Sequence, residues 1–351
     1  MPNPTAGVWL LNQTYNNLVD DVADGNQSVK WVRNTINQTS ITTSEVYKNY
    51  GWYACGETPS ARSSLVDRID FSNDLAATSA RGDAAVSYGQ VTGASNKSYG
   101  WIMGGEFFPG YRTGVSRLDY ASDLSGGSPR TNMTVAKGGA GGLSSNTYLY
   151  STAGNTTPTG DPTGQLSSIE RIDASNDTTH SAVGNLSVAR HYLGAVGNAS
   201  YGWAVGGGQG PGNIDLLSIE RIDYSNDSNT ATSRASLSLK RSYTRGASNK
   251  NYAWIVAGYD RSAGKLLKMV DKLTFANDLS SCRARGDLET ARSSHSVTGN
   301  EAYGWVAFGG NTSNTCRIDY ANDLATAVVK GQAPSARLRD ADSFTHVNLD
   351  T

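Results

Sequence analysis

The sequence predicts an all-β fold, a six-bladed β-propeller built from units of roughly 50 residues, on three observations. A Tyr-Gly-Trp-type phrase begins at Tyr50, Tyr99, Tyr148, Tyr201, Tyr252 and Tyr303. A second phrase, close to Arg-Ile-Asp-aromatic-Ser-Asn-Asp, trails it in each unit: Arg68 to Asp74, Arg117 to Asp123, Arg171 to Asp177, Arg221 to Asp227, a degenerate Lys272 to Asp278, and Arg317 to Asp323. Composition agrees, since 39 Gly, 18 Tyr and only 17% charged residues suit short strands joined by tight turns.

The Trp of the first phrase recurs as Trp52, Trp101, Trp203, Trp254 and Trp305, with Tyr150 at that place in the third copy. Five of the seven tryptophans thus share one repeat position, which marks them as blade-packing residues that present a flat surface to the next blade. A third element is a cation eleven residues before the Tyr, Lys137, Arg190, Arg241 and Arg292, replaced by Tyr88 in the second unit. Between these anchors the fourth unit reads as four strands: His191 to Val196, Tyr201 to Val205, Ser218 to Tyr224 and Ala231 to Leu237. The Ser-Asn-Asp segment is a hairpin turn, because Asn and Asp bond their own main chain, and the glycine pairs mark close passage of another backbone.

Four short strands alone bury too little to offset the entropy of ordering them, so the units must stack and the circle must close. The first unit lacks its leading strand. A tail opening at Ser335-Ala336-Arg337 and running through Phe344 and Val347 is expected to pair beside Tyr50 to Cys55 and complete that blade. Ile41 to Tyr47 is the rival, and use of both predicts a partial seventh blade. Residues 1–45 lie outside the repeat and 46–351 form the propeller.

Composition also excludes. A net charge of -1 offers no basic field for phosphates or anionic lipids. No apolar run reaches bilayer length, and the first ten residues lack the basic start of a secretory leader, so the chain is expected to be soluble and unprocessed by the secretory route. Cys55, Cys282 and Cys316 have neither disulfide nor zinc spacing and are read as free thiols. The Asn-x-Ser/Thr triplets are read as turn chemistry.

The run from Ala189 to Gly207, Ala-Arg-His, an apolar strand, then Tyr-Gly-Trp-Ala-Val-Gly-Gly, resembles the kelch repeat, whose blades carry an Arg, an aromatic and a double glycine. It departs in placing the Trp within the glycine-ended strand and in replacing the later segment by Arg-Ile-Asp-Tyr-Ser-Asn-Asp. That wording, with the opening Ala6-Gly7-Val8-Trp9-Leu10, is similar to kelch-like propeller proteins of tailed bacteriophages, particularly those of marine bacteria. The resemblance implies a virion structural protein of the tail, fibre or capsid surface, made in the host cytoplasm. Its implied partners are other virion proteins and, for host attachment, a surface glycan or protein. Residues 1–45 are then an arm with Val8, Trp9, Leu10 and Trp31 as apolar anchors, or a plug over one propeller face.

No catalytic, cofactor or metal residues can be nominated. His180, His191, His295 and His346 show no ligand spacing, although His191 and His295 fall in comparable leading strands. Asp173 with Asp177, and Asp223 with Asp227, raise calcium, but hairpin turns use the same residues and the EF-hand spacing is missing. The Arg and Asp of Arg-Ile-Asp are expected to form a surface ladder of charge pairs between blades. The glycine clusters precede no helix and no Gly-Lys-Ser/Thr, and spacing singles out no catalytic triad. The leading reading is therefore non-catalytic, with Asn155 to Ser168 and Gln209 to Ser218 as partner-facing loops. A lectin-like adhesin using exposed aromatics is the alternative. A propeller enzyme, the third reading, requires a carboxylate cluster or metal at the ring centre.

Overall fold

The computed structural model describes residues 49–58, 61–157, 162–210, 212, 214–310, 312–333 and 342–345, all within the larger of two units, Tyr47–Thr351. The proposed arm and its anchors Val8, Trp9, Leu10 and Trp31 lie outside the described residues, as do Ile41 to Tyr47, Ser335 to Arg337, His346 and Val347.

Six four-stranded antiparallel sheets follow one another along the chain. The fourth is representative: Gly194–Gly197, Tyr201–Val205, Ser218–Asp223 and Thr232–Ser236 pair in that order. The second strand matches its sequence expectation to the residue. The leading strand is shorter than expected, because Tyr192 takes a left-handed φ of 52° that breaks the extended run before it. Leading strands Thr92–Ser95, Gly141–Ser144, Gly194–Gly197, Arg245–Ser248 and Ser296–Gly299 pack each against the next, and Asp342–Thr345 packs against both the last and the first. The result is a closed six-bladed propeller.

The C-terminal strand makes the closure. Asp342–Thr345 runs antiparallel to Tyr50–Ala54, with Gly51 opposite Thr345 and Ala54 opposite Asp342. The first blade is thus built from both ends of the ring-forming chain, and the place for which Ile41 to Tyr47 competed is filled. Among the described residues there are six four-stranded sheets and no seventh; a two-stranded extra, Gly208–Gln209 with Ile214–Asp215, belongs to a loop of the fourth blade.

The hydrophobic core lies between blades rather than within them. Each of six apolar clusters joins side chains from two successive sheets, such as Trp203 and Val205 with Ile255, Leu273 and Phe275, or Tyr53 and Ile69 with Trp305 and Phe308. Every repeat Trp, and Tyr150, is fully buried. Five of these six rings stack on the aromatic residue of the next blade's second phrase: Trp52 on Tyr120 at 4.1 Å, Tyr150 on Tyr224 at 4.9 Å, Trp203 on Phe275 at 4.2 Å, Trp254 on Tyr320 at 3.6 Å and Trp305 on Phe71 at 4.0 Å. The last pair joins the sixth blade to the first.

The glycine pair is a backbone device. Its two positions both have positive φ in every blade, but only the second is always Gly: Gly56, Gly105, Gly154, Gly207, Gly258 and Gly309 follow Cys55, Gly104, Ala153, Gly206, Ala257 and Phe308. A Cβ at Gly105, Gly207, Gly258 or Gly309 would fall 2.4–2.8 Å from a carbonyl oxygen of the same blade's entry to its leading strand. The amides of Gly105, Gly154, Gly207 and Gly258 meanwhile donate to the carbonyls of Lys137, Arg190, Arg241 and Arg292 in the next blade, at 2.9–3.0 Å. A side chain there is therefore excluded by sterics and by φ together.

A second backbone belt surrounds the axis. Gln90, Gly139, Tyr192, Tyr243 and Ser294 all have φ of 52–63°. The amides of Gly139, Tyr192, Tyr243 and Ser294 each donate to the carbonyl of the preceding member, at 2.7–3.3 Å. Blade-to-blade hydrogen bonding thus offsets the strain of left-handed non-glycine residues.

Trp101 is the one repeat Trp without a stacking partner, because the third blade has Ala174 where others have an aromatic. Ala174→Tyr is expected to stabilise the protein by about 1 kcal/mol through the added ring pair. A rise in the urea midpoint, with an unchanged near-ultraviolet spectrum at the other tryptophans, checks it.

Candidate functional site

The most elaborate polar arrangement in the molecule is a latch repeated at every seam. Each is centred on the last Asp of the second phrase, which is buried in all six blades or, for Asp323, nearly so. The indoles of Trp52, Trp101, Trp203, Trp254 and Trp305 donate to Asp123, Asp177, Asp278, Asp323 and Asp74 at 2.8–3.1 Å, and the Tyr150 hydroxyl donates to Asp227 at 2.9 Å. The same carboxylates pair with the cation of the preceding blade's second phrase: Arg68 with Asp123, Arg117 with Asp177, Arg171 with Asp227, Arg221 with Asp278, Lys272 with Asp323 and Arg317 with Asp74, at 2.7–3.2 Å. Each of these cations also lies over the Tyr that opens its blade, 4.0–4.3 Å from the ring centroid.

The expected charge ladder is therefore present with a different acid. The Asp of Arg-Ile-Asp does not cross the seam; it turns back on its own hairpin. Asp70, Asp119, Asp173, Asp223 and Asp319 accept the amide two residues on, at 2.8–3.0 Å. The physical reason is strand alternation: this Asp ends the strand at the turn, whereas the last Asp sits beyond the turn, facing the neighbouring blade. The pairs are also largely withdrawn from water rather than on the surface. Sequence reasoning weighed Asp177 and Asp227 only for calcium and gave none of the six a role at the seam, although the degenerate fifth copy carries the signal: it loses the Arg and the first Asp, as Lys272 and Thr274, yet keeps Asp278. In the five phrases that keep both aspartates, the two are committed to different partners, one to its own turn and one to the seam. Among the described residues no three His, Cys, Asp or Glu side chains are grouped to hold a metal ion.

A second buried set follows the recurring cation. Lys137 pairs with Glu170 at 3.3 Å, Arg190 with Glu220, and Arg241 with Asp271 at 2.9 Å. Among the described residues Arg292 meets no carboxylate; its guanidinium donates to the carbonyls of Phe308 and Asn314 and to Cys316 Sγ at 3.4 Å. Burial pushes the Lys137 ammonium down and Glu170 beside it pulls it back. Cys55, Cys282 and Cys316 are free and buried, and burial pushes the Cys282 thiol up to about 12.

The three described histidines are core residues. His191 directly follows the recurring Arg190, whereas His295 stands three places after Arg292, so they are not equivalent positions. Burial pulls His180 and His191 down to about 4, and burial together with Arg292 and Arg245 holds His295 well below the usual imidazole range.

Antiparallel alternation sends the Ser-Asn-Asp turns to one end of the ring and the connections between second and third strands to the other. The turn face is uniform, although Leu75, Leu124, Leu279 and Leu324 project from it in four blades. The loop face varies from blade to blade. Of the two proposed partner loops, Asn155 is itself buried and bridges Gly138 and Gln165. Gln165 accepts from the Gly210 amide at 2.7 Å, and Asp215 accepts from the Arg261 amide at 2.6 Å and pairs with its side chain at 3.3 Å. Part of each insertion thus stitches blade to blade, leaving Ile214 and Leu217 among its exposed groups.

No protein family matches this chain, and no curated protein does. The class defined by fold and seam is a six-bladed β-propeller with an Asp-Trp-Arg latch.

The latch assigns unequal roles to two aspartates four residues apart. Asp278→Asn is expected to cost about 2–3 kcal/mol, somewhat less than a fully buried pair because Arg221 and Arg234 keep some solvent. Asp223→Asn should cost no more than about 1 kcal/mol, the worth of a capping contact. Urea denaturation of the two variants reads the difference.

Stability should also depend on pH through the histidines. Their folded pKa values lie below 6.5, so the unfolded chain takes up these protons first. Stability present above about pH 6.5 is lost as pH falls toward 4. The double variant His180→Gln with His191→Gln is expected to flatten that loss, measured as urea midpoints between pH 7.5 and 4.5.

Proposed function

We propose that this chain is a non-catalytic structural protein of a tailed bacteriophage particle, its propeller serving as a rigid platform for protein or host-surface contacts in the tail apparatus or on the capsid. One observation carries the non-catalytic part: the recurring acids and cations are consumed in holding the blades together. Trp, Arg and Asp meet at all but one of the seams with only conservative exchanges, and the third blade does the same with Tyr150.

The inner strands point the same way. They carry Thr92, Gly93, Ala94 and Ser95 in the second blade, Gly141, Gly142, Leu143 and Ser144 in the third, Gly194, Ala195, Val196 and Gly197 in the fourth, Arg245, Gly246, Ala247 and Ser248 in the fifth, and Ser296, Val297, Thr298 and Gly299 in the sixth, so that Arg245 is the single charged residue among these five strands. This lining favours a scaffold over an enzyme, which needs converging titratable groups. The virion setting and the arm's docking on other virion proteins through Val8, Trp9, Leu10 and Trp31 rest on the resemblance of the repeat wording and the opening segment.

The lectin-like reading is favoured by a separate observation, the exposed aromatic pair Phe107 and Phe108 on the loop face. Peptide mass spectrometry of purified particles, with gold-labelled antibody in electron micrographs, tests the main proposal. The expected result is a fixed copy number at one location; absence from purified particles defeats it.

A further inference from the structure

The second blade departs furthest from the repeat's own pattern. Tyr88 stands where the next four blades carry Lys137, Arg190, Arg241 and Arg292, and Ser116 stands where they carry Glu170, Glu220, Asp271 and Cys316. With no ion pair to complete, Tyr88 lies half-buried against the apolar cluster between the first and second blades. Its part-exposed ring meets Phe107 edge-on at 6.3 Å. Gly114 makes room, since a Cβ there would lie 2.8 Å from the Tyr88 hydroxyl.

Phe107 ends one arm of a hairpin whose strands are Tyr99–Phe107 and Gly110–Asp119. The tip holds Phe108, 80% exposed, beside Phe107 at 46%. The Arg112 guanidinium lies 5.5 Å from the Phe107 centroid, and its hydrogen bond goes to the neighbouring Tyr111 carbonyl at 3.1 Å. Among the described residues no carboxylate pairs with Arg112, whereas Arg62 in the adjoining blade takes both Glu57 and Glu106.

An unneutralised guanidinium beside exposed ring faces defines its ligand. The planar fork takes a carboxylate in two parallel hydrogen bonds, and an aromatic face takes the flat C–H side of a pyranose. Both features occur together in an acidic sugar. Four side chains are too few for a specific protein interface, which needs about 800 Å² on each partner. A chain of net charge -1 lacks the cationic track that single-stranded nucleic acid needs beside its stacking rings.

We propose that Tyr88, Phe107, Phe108 and Arg112 form a binding site for a uronic-acid-type sugar of a surface polysaccharide. The inference draws its biological setting from the host-contact reading above, but its chemistry stands apart from it. Affinity electrophoresis of the purified full chain tests it, in gels containing polygalacturonate, hyaluronan, neutral dextran or dextran sulfate. The expected result is retardation by polygalacturonate or hyaluronan and none by dextran. Phe108→Ala and Arg112→Gln should each weaken retention by about tenfold or more without shifting the thermal midpoint. Retardation by neither polyuronate, equal retardation by dextran sulfate, or unchanged retention in both variants would overturn the proposal. Failure to find the protein in particles would defeat the virion reading and leave this binding result intact.

Discussion

The whole ring depends on one kind of interaction, a carboxylate placed by one blade and satisfied by the blade before it. The last Asp of each second phrase is withdrawn from water in the closed ring, and a buried carboxylate without donors is strongly unfavourable. The preceding blade brings an indole or phenol donor and a cation, held over the opening Tyr of its own sheet. An ion pair of this kind adds less net stability than its Coulomb attraction suggests, because both partners lose hydration. Its stronger effect is selective: a blade docked out of register leaves a charge unpaired. The sixth blade's Trp305 and Arg317 reach Asp74 of the first, so the same penalty enforces closure.

Around that polar latch the apolar terms are shared across seams. Each core cluster takes side chains from two sheets, so no blade has a core until its neighbour is present. The C-terminal strand gives the first blade its inner member and thereby fixes the last seam. The glycine bulges and the belt of left-handed residues bring backbone into direct contact near the axis. Such a ring is well suited to hold surface groups rigidly. The loop face varies most in its insertions, and there the second blade carries a partly exposed aromatic cluster in place of an internal ion pair.

Much of this architecture was legible in the primary structure because repetition exposes it. Six copies of a Tyr-Gly-Trp phrase place the second strands and the packing aromatics, and Tyr201–Val205 falls where pattern alone puts it. The missing leading strand of the first unit pointed to the C-terminal tail. The charge ladder was legible in kind but not in partner: two aspartates four residues apart look alike in sequence, and only their positions on either side of a turn separate the cap at Asp223 from the latch at Asp227. The aromatic site around Phe107 and Phe108 was foreshadowed only by Tyr88, an irregularity in an otherwise regular column.

The chain alone determined how many units there are, which strands they hold and which residues recur, since duplication writes local structure and periodicity directly into sequence. Tertiary structure decided which blade each recurring side chain serves. Seam contacts join residues some 50 to 80 positions apart, or at the closing seam more than 200. A repeat specifies the same groups in every copy, and only the folded ring shows that a Trp is answered by the next blade's Asp and not by its own.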